Sequence, residues 1–162
     1  MVICNPHNPL GQCYTEETLV QLVKFCAERS IHLISDEIYA LTTYQRKDRK
    51  SEQFLSVLAI DTDKLIDPNL VHVLYGMSKD YGAAGMRLGC IITRNKPATV
   101  AIQFACRFFS PSQFSMDLAA KFLENEDFVD AHLAKAHETL LKSRLLTESL
   151  LREAGIGYHD KG

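Results

Sequence analysis

"LYGMSKDYGAAGMRLG", residues 74–89, is the stretch on which the reading of this chain turns. One lysine, one arginine and four glycines follow an apolar run, and Arg87 stands eight residues after Lys79. "LVHVLYG" (70–76) reads as a buried strand, and "RLGCIIT" (87–93) as the next one. Lys79 and Arg87 therefore fall where the chain leaves one strand and enters another. Their chemistry has to be completed by residues from elsewhere.

Working outward, Val2–Cys4 reads as the end of a buried strand, stopped by "NPHNPLG" (5–11), where two prolines and Gly11 break regular structure. Thr15 is an N-cap, with Glu16 and Glu17 facing the positive end of a helix dipole. Leu19, Leu22, Val23 and Cys26 repeat at helical spacing, so that helix buries one face. "IHLIS" (31–35) is a short strand ending at Asp36, and the charged run "QRKDRKSEQ" (45–53) reads as a solvated loop. Asn95 and Pro97 open a helix to about Phe108, "SPS" interrupts it, and another helix covers about 113–124. The last helix, about 127–154, carries leucine pairs at 140/141, 145/146 and 150/151 that spread around its circumference, as in a helix packed between two bodies.

Apolar strands separated by helices predict an α/β fold: a mixed, mostly parallel sheet covered by helices and ending in a long helix that connects domains. The expected division is a partial large domain over 1–125, then the connecting helix and the start of a small domain over 126–162. Met1 runs straight into apolar residues and the chain stops at "GIGYHDKG", so it reads as a piece of a larger protein.

The 162 residues are 46% hydrophobic and 23% charged, with a formal charge of −2. So slight a charge gives no reason to expect nucleic acid or an anionic membrane as a partner, and no run suggests a membrane span or a secretory leader. Five scattered cysteines without a C-x-x-C predict reduced, mostly buried thiols and a cytoplasmic setting. His132 and His137 are five apart and share no helix face, so no metal site is expected. "GAAGMRLG" lacks the glycine spacing of a dinucleotide fingerprint.

Asn8, Asp36 with Tyr39, Lys79 and Arg87 all lie at predicted strand ends, where ligands collect in open α/β sheets. Taken singly, each has an ordinary structural role: a surface lysine, a turn-forming Asn or Asp, a packed tyrosine, a salt-bridged arginine. Together they offer an amine for an aldehyde, a carboxylate for a ring nitrogen, two hydrogen-bonding groups for a phenolic oxygen and a guanidinium for phosphate. Those are the four handles of pyridoxal 5′-phosphate (PLP).

"NPHNPLG", "SDEIYA" and "SKDYGAAGMRLG", in that order, resemble the three signature segments of fold-type-I PLP enzymes, the aspartate aminotransferase superfamily that includes the class I/II aminotransferases. The likeness spans nearly the whole chain and is nearest to the 1-aminocyclopropane-1-carboxylate synthase-like branch. It implies that Lys79 forms a Schiff base with PLP and shuttles protons. It further implies that Asp36 pairs with the ring nitrogen, that Tyr39 and Asn8 bond the ring oxygen, and that Ser78 and Arg87 bind the phosphate. To serve as a base, Lys79 is expected in a partly desolvated, cationic site. His7 is expected at the surface, and Cys4, Cys13 and Cys90 as packing residues.

In one respect the chain departs from the family pattern: Gly76 stands where a hydroxyl residue usually precedes the lysine by three. The missing hydrogen bond to a charged phosphate is worth about 1.5–3 kcal/mol. The resemblance implies that, in full-length relatives, earlier sequence supplies an aromatic residue that stacks on the cofactor and later sequence the arginine that grips the substrate carboxylate. The resemblance implies an amino acid substrate and a homodimer in full-length form. Aminotransferase and synthase-like chemistry, carbon–sulfur β-elimination, and a truncated non-catalytic chain all remain open at this point.

Overall fold

The computed structural model describes residues 1–46, 48 and 51–159. Four strands form one sheet in the order β1 (Val2–Cys4), β2 (Leu33–Asp36), β3 (Val71–Gly76) and β4 (Gly89–Thr93). The first three run parallel and β4 is antiparallel to β3, which bears out the mixed, mostly parallel sheet.

Between β1 and β2 lies α1 (Glu16–Glu28), and Thr15 caps it by accepting from the Thr18 backbone N–H. Its apolar face, Leu19, Val23 and Cys26, joins Ile3, Leu33, Val57, Val71 and Val73 in one buried core. Removing these side chains from water is the main term holding the sheet and α1 together, about 1.5–3 kcal/mol for each fully buried aliphatic side chain. After β4 come α2 (Lys96–Phe109), packed on β4, then α3 (Gln113–Leu123) and α4 (Glu126–Glu153), packed on each other. Asn95, Ser112 and Asn125 cap these helices through side-chain oxygens. No helix among the described residues is long and apolar enough to cross a membrane.

Register explains how distant residues converge. Cys4 pairs with Asp36, and Asp36 with Leu74, so the carboxyl ends of the three parallel strands lie side by side. Because β4 runs the other way, its first residue, Gly89, pairs with Gly76 at that same edge. The segment 77–88, containing Lys79 and Arg87, is therefore a loop along the carboxyl edge of the sheet.

Two expectations need correction. Of the five free cysteines only Cys26 is buried; Cys4 and Cys13 are half-buried and Cys90 and Cys106 exposed. Cys106 lies on α2, where no residue is buried, so hydrophobic character alone did not bring its thiol inside. Nor is 45–53 simply solvated. The Arg46 side chain is only 5% exposed because it makes a two-pronged ion pair with Glu148 of α4. Lys47, Arg49 and Lys50 of that run lie outside the described residues.

Candidate functional site

Asn5, fully buried, anchors the loop that follows β1. Its backbone N–H donates to the Asp36 carbonyl at 2.9 Å, its Nδ2 to the Leu55 carbonyl at 3.0 Å, and its Oδ1 accepts from the Tyr14 N–H at 3.1 Å. Within the loop, Gly11 donates to the His7 carbonyl and adopts a φ of 67°, a left-handed conformation that costs glycine little. That fold presents His7 and Asn8 to the edge of the sheet. Beyond β2, buried Glu37 accepts from Ser35 Oγ and from the Val57 N–H, both at 3.0 Å. These bonds fix the start of the turn that carries Tyr39.

A cavity of about 1020 Å³ opens here, lined among others by His7, Asn8, Tyr39, Ser78, Lys79 and Arg144. Asn8 Nδ2 donates to Tyr39 Oη at 3.4 Å, and Lys79 Nζ stands 5.6 Å from the centre of the Tyr39 ring. Four of the six residues singled out in the sequence thus meet on one surface. The expected desolvation of Lys79 is not found: the residue is exposed, on the open side of the cavity. His7, expected at the surface, is half-buried and lines the cavity, and its Nδ1 is buried with no hydrogen-bond partner among the described residues.

Asp36 and Arg87 share the edge but not the cavity lining. Asp36 Oδ1 accepts from the Ile38 N–H at 3.2 Å, a local bond that holds the carboxylate at its own turn. Arg87 is exposed, in left-handed backbone conformation with φ 55°, and its Nη1 donates to the Ala84 carbonyl at 3.0 Å. Such a backbone costs a non-glycine residue about 1–2 kcal/mol.

Gly76 has a steric cause. A Cβ there would lie 2.9 Å from the Leu88 carbonyl oxygen, 3.2 Å from Gly89 Cα and 3.3 Å from Ile38 Cδ1. The close approach of β3 to the chain entering β4 leaves no room for a side chain. Gly76→Ser is therefore expected to destabilise the chain by about 1–3 kcal/mol. Urea denaturation of the two proteins measures this, and equal midpoints would mean that the 77–88 loop yields freely.

On the far wall, Arg46 and Arg144 line the cavity and both bind Glu148, a residue only 2% exposed. Arg46 Nη1 reaches Glu148 Oε1 at 2.6 Å and Arg144 Nε the same oxygen at 2.7 Å, while Arg152 Nη2 reaches Oε2 at 3.2 Å. The hydrogen bonds from Arg46 and then Arg144 hold the Glu148 carboxyl at about 2, well below its ordinary 4.5. Asn5, Glu37 and Glu148 were not recognised from the sequence. Only Glu148 had a legible signal, arginines four residues before and after it.

Residues 1–161 match the family model "Aminotransferase class I and II". A probable aminotransferase (tcpI) of Claviceps purpurea is 40% identical over 90% of this chain and 36% of its own length. 1-Aminocyclopropane-1-carboxylate synthase 6 of rice is 36% identical over 96% of the chain and 28% of its own. The mouse 1-aminocyclopropane-1-carboxylate synthase-like protein 1 is 30% identical over 100% of the chain and 31% of its own. The chain spans about a third of the length of these relatives. Among solved structures, a double mutant of Thermus thermophilus aspartate aminotransferase superposes with a TM-score of 0.80 over 95% of the chain and 37% of its own, at 22% identity; at that identity the likeness is one of fold.

Proposed function

Because the chain belongs to the class I and II aminotransferase family, we propose that it binds pyridoxal 5′-phosphate through a Schiff base at Lys79 and acts on amino acids. The observation that carries this reading is the convergence of Lys79, Tyr39, Asn8 and Ser78 on one cavity at the carboxyl edge of the sheet. The donor set suits the group. The cavity offers a primary amine for an aldehyde, a hydrogen-bonded phenol–amide pair for a ring oxygen and a hydroxyl for a phosphate. The buried, unpartnered Nδ1 of His7 is a further polar atom in want of a ligand.

PLP, when bound, supplies an electron sink for carbanion chemistry at the substrate α-carbon. The chain's own residues do the rest. Lys79 would hold the cofactor through its amine and would serve as the base that moves the proton at the substrate α-carbon. Asp36, at the end of β2 and outside the cavity lining, would keep the ring nitrogen protonated by opposite charge. Tyr39 and Asn8 would orient the ring through its oxygen, and Ser78 and Arg87 would hold the phosphate, Arg87 by exchanging the Ala84 carbonyl for a charged acceptor. Aminotransferase chemistry and the synthase-like reaction use the same residues, and the names of the relatives support both. Carbon–sulfur elimination would need no different set.

A homodimer belongs to this reading. It is supported by Phe104, Phe108, Phe109 and Phe114 of α2 and α3, which are 61–83% exposed and call for an apolar cover. The exposure of Lys79, in place of the desolvated setting a tuned base needs, favours a second reading, a chain that keeps the cofactor-binding core without turnover. Both readings share one test. The chain is treated with PLP and reduced with borohydride, and the pyridoxyl peptide is mapped by mass spectrometry. Label at Lys79 is expected; label at Lys64 or Lys96 instead, or none, overturns the proposal.

A further inference from the structure

Asp80 directly follows Lys79 and has none of the roles assigned above. The residue is 3% exposed. Its Oδ2 accepts two hydrogen bonds, from the Leu41 backbone N–H at 2.9 Å and from Tyr75 Oη at 2.8 Å. Its Oδ1 is buried with no partner among the described residues. Burial pushes the Asp80 carboxyl up, and burial, with help from the Asp80 bond, also pushes the Tyr75 phenol up.

Both partners belong to elements that build the cavity. Tyr75 is the penultimate residue of β3. Leu41 sits in the turn that carries Tyr39, a turn closed by Thr42, whose N–H and Oγ1 both donate to the Tyr39 carbonyl at 3.1 and 2.8 Å. The Leu41 carbonyl accepts in turn from His137 Nε2 of α4 at 2.6 Å, so that nitrogen carries the proton. One carboxylate oxygen therefore joins the end of β3, the Tyr39 turn and the Lys79 turn, with α4 bonded to the same junction. A carboxylate is expensive to bury, and a solvated residue at position 80 would avoid that cost. Its gain is geometric, because the residue next to it carries the amine.

The geometry points to Asp80 as a positioning residue that fixes the Lys79 amine over the Tyr39 ring by tying both of their turns to the end of β3. Its catalytic meaning rests on the cofactor reading of Lys79, but the placement itself can be measured without cofactor. The lysines of the full chain are dimethylated with isotope-labelled formaldehyde and observed by NMR, Lys79 being assigned by its loss in Lys79→Arg. In the wild type the Tyr39 ring current displaces the Lys79 signal from that of a solvent-exposed lysine such as Lys64, whose side chain is 81% exposed.

Asp80→Ala is expected to collapse that displacement. Asp80→Asn should largely retain it, since an amide oxygen still accepts from Leu41 and Tyr75, and Tyr75→Phe should reduce it. An unmoved Lys79 signal in folded Asp80→Ala overturns the proposal. If circular dichroism shows that variant unfolded, an unmoved signal in Tyr75→Phe does so. In a second arm, borohydride-fixed PLP at Lys79 should fall roughly tenfold in Asp80→Ala, with Asp80→Asn close to wild type. A wild-type chain that takes no label at Lys79 refutes the cofactor reading, while the NMR signal still decides for or against Asp80.

Discussion

Lys79→Ala is expected to abolish covalent retention of pyridoxal 5′-phosphate and, in a full-length context, to lower the rate of α-proton exchange in a bound amino acid by roughly 10²- to 10⁴-fold, the span of a positioned general base. Both effects follow from one atom. Nζ stands on the cavity wall 5.6 Å from the Tyr39 ring centre, and alanine leaves neither a nucleophile for the aldehyde nor a base for the α-proton. The substitution should leave the fold alone, because Lys79 is exposed and its backbone lies in a loop outside the core. Unchanged melting with lost absorbance after dialysis is therefore the expected pair of results. Exchange into deuterated water isolates the proton step from product release. A variant that keeps both its bound cofactor and its exchange rate would remove Lys79 from the centre of the site.

Glu148→Ala should cost about 3–5 kcal/mol of stability, and at this chain length that lowers the melting temperature by roughly 6–20 °C. Glu148 is 2% exposed and Arg46, its partner from a loop 102 residues away, has a side chain 5% exposed. Alanine leaves the Arg46 guanidinium buried beside a cavity but still paired with Asp48, so the loss falls toward the lower end of the range.

The same network sets a pH dependence. The carboxyl is held at about 2 in the folded chain against an ordinary 4.5, so protons bind the unfolded chain more readily. The stabilisation is fully present above pH 4.5 and drains away as the pH falls toward 2. The gap in unfolding free energy between wild type and Glu148→Ala should narrow across that window. A gap that stays constant down to pH 2 would mean that the ion pairs contribute nothing.

Much of this was legible in the sequence, and the reason is locality. Helix faces repeat at 3.6 residues and caps act over three, so the spans of α1 to α4 and the caps at Thr15 and Asn95 could be read directly. The buried strands announced themselves as apolar runs. The site residues were legible because turns between such runs must lie at the sheet's edges, and a parallel sheet brings those edges together. Asn8, Tyr39, Ser78 and Lys79 meet accordingly.

What only the tertiary structure decided involves atoms brought together across long stretches of chain. Gly76 reads as a lost hydroxyl in one dimension; in three it is the point where Leu88, Gly89 and Ile38 leave no room for a Cβ. Arg46 reads as one charge in a polar run, because Glu148 is more than a hundred residues away. Arg87 has the expected position, yet its guanidinium bonds to the Ala84 carbonyl, since a donor satisfies itself with the nearest acceptor. Asp80 carries no periodic signal at all, and its two bonds to Leu41 and Tyr75 exist only once β2 and β3 lie side by side. Local patterns determine which elements form and what lies at their ends. The aim of a buried carboxylate or a guanidinium is decided by the partners that packing delivers.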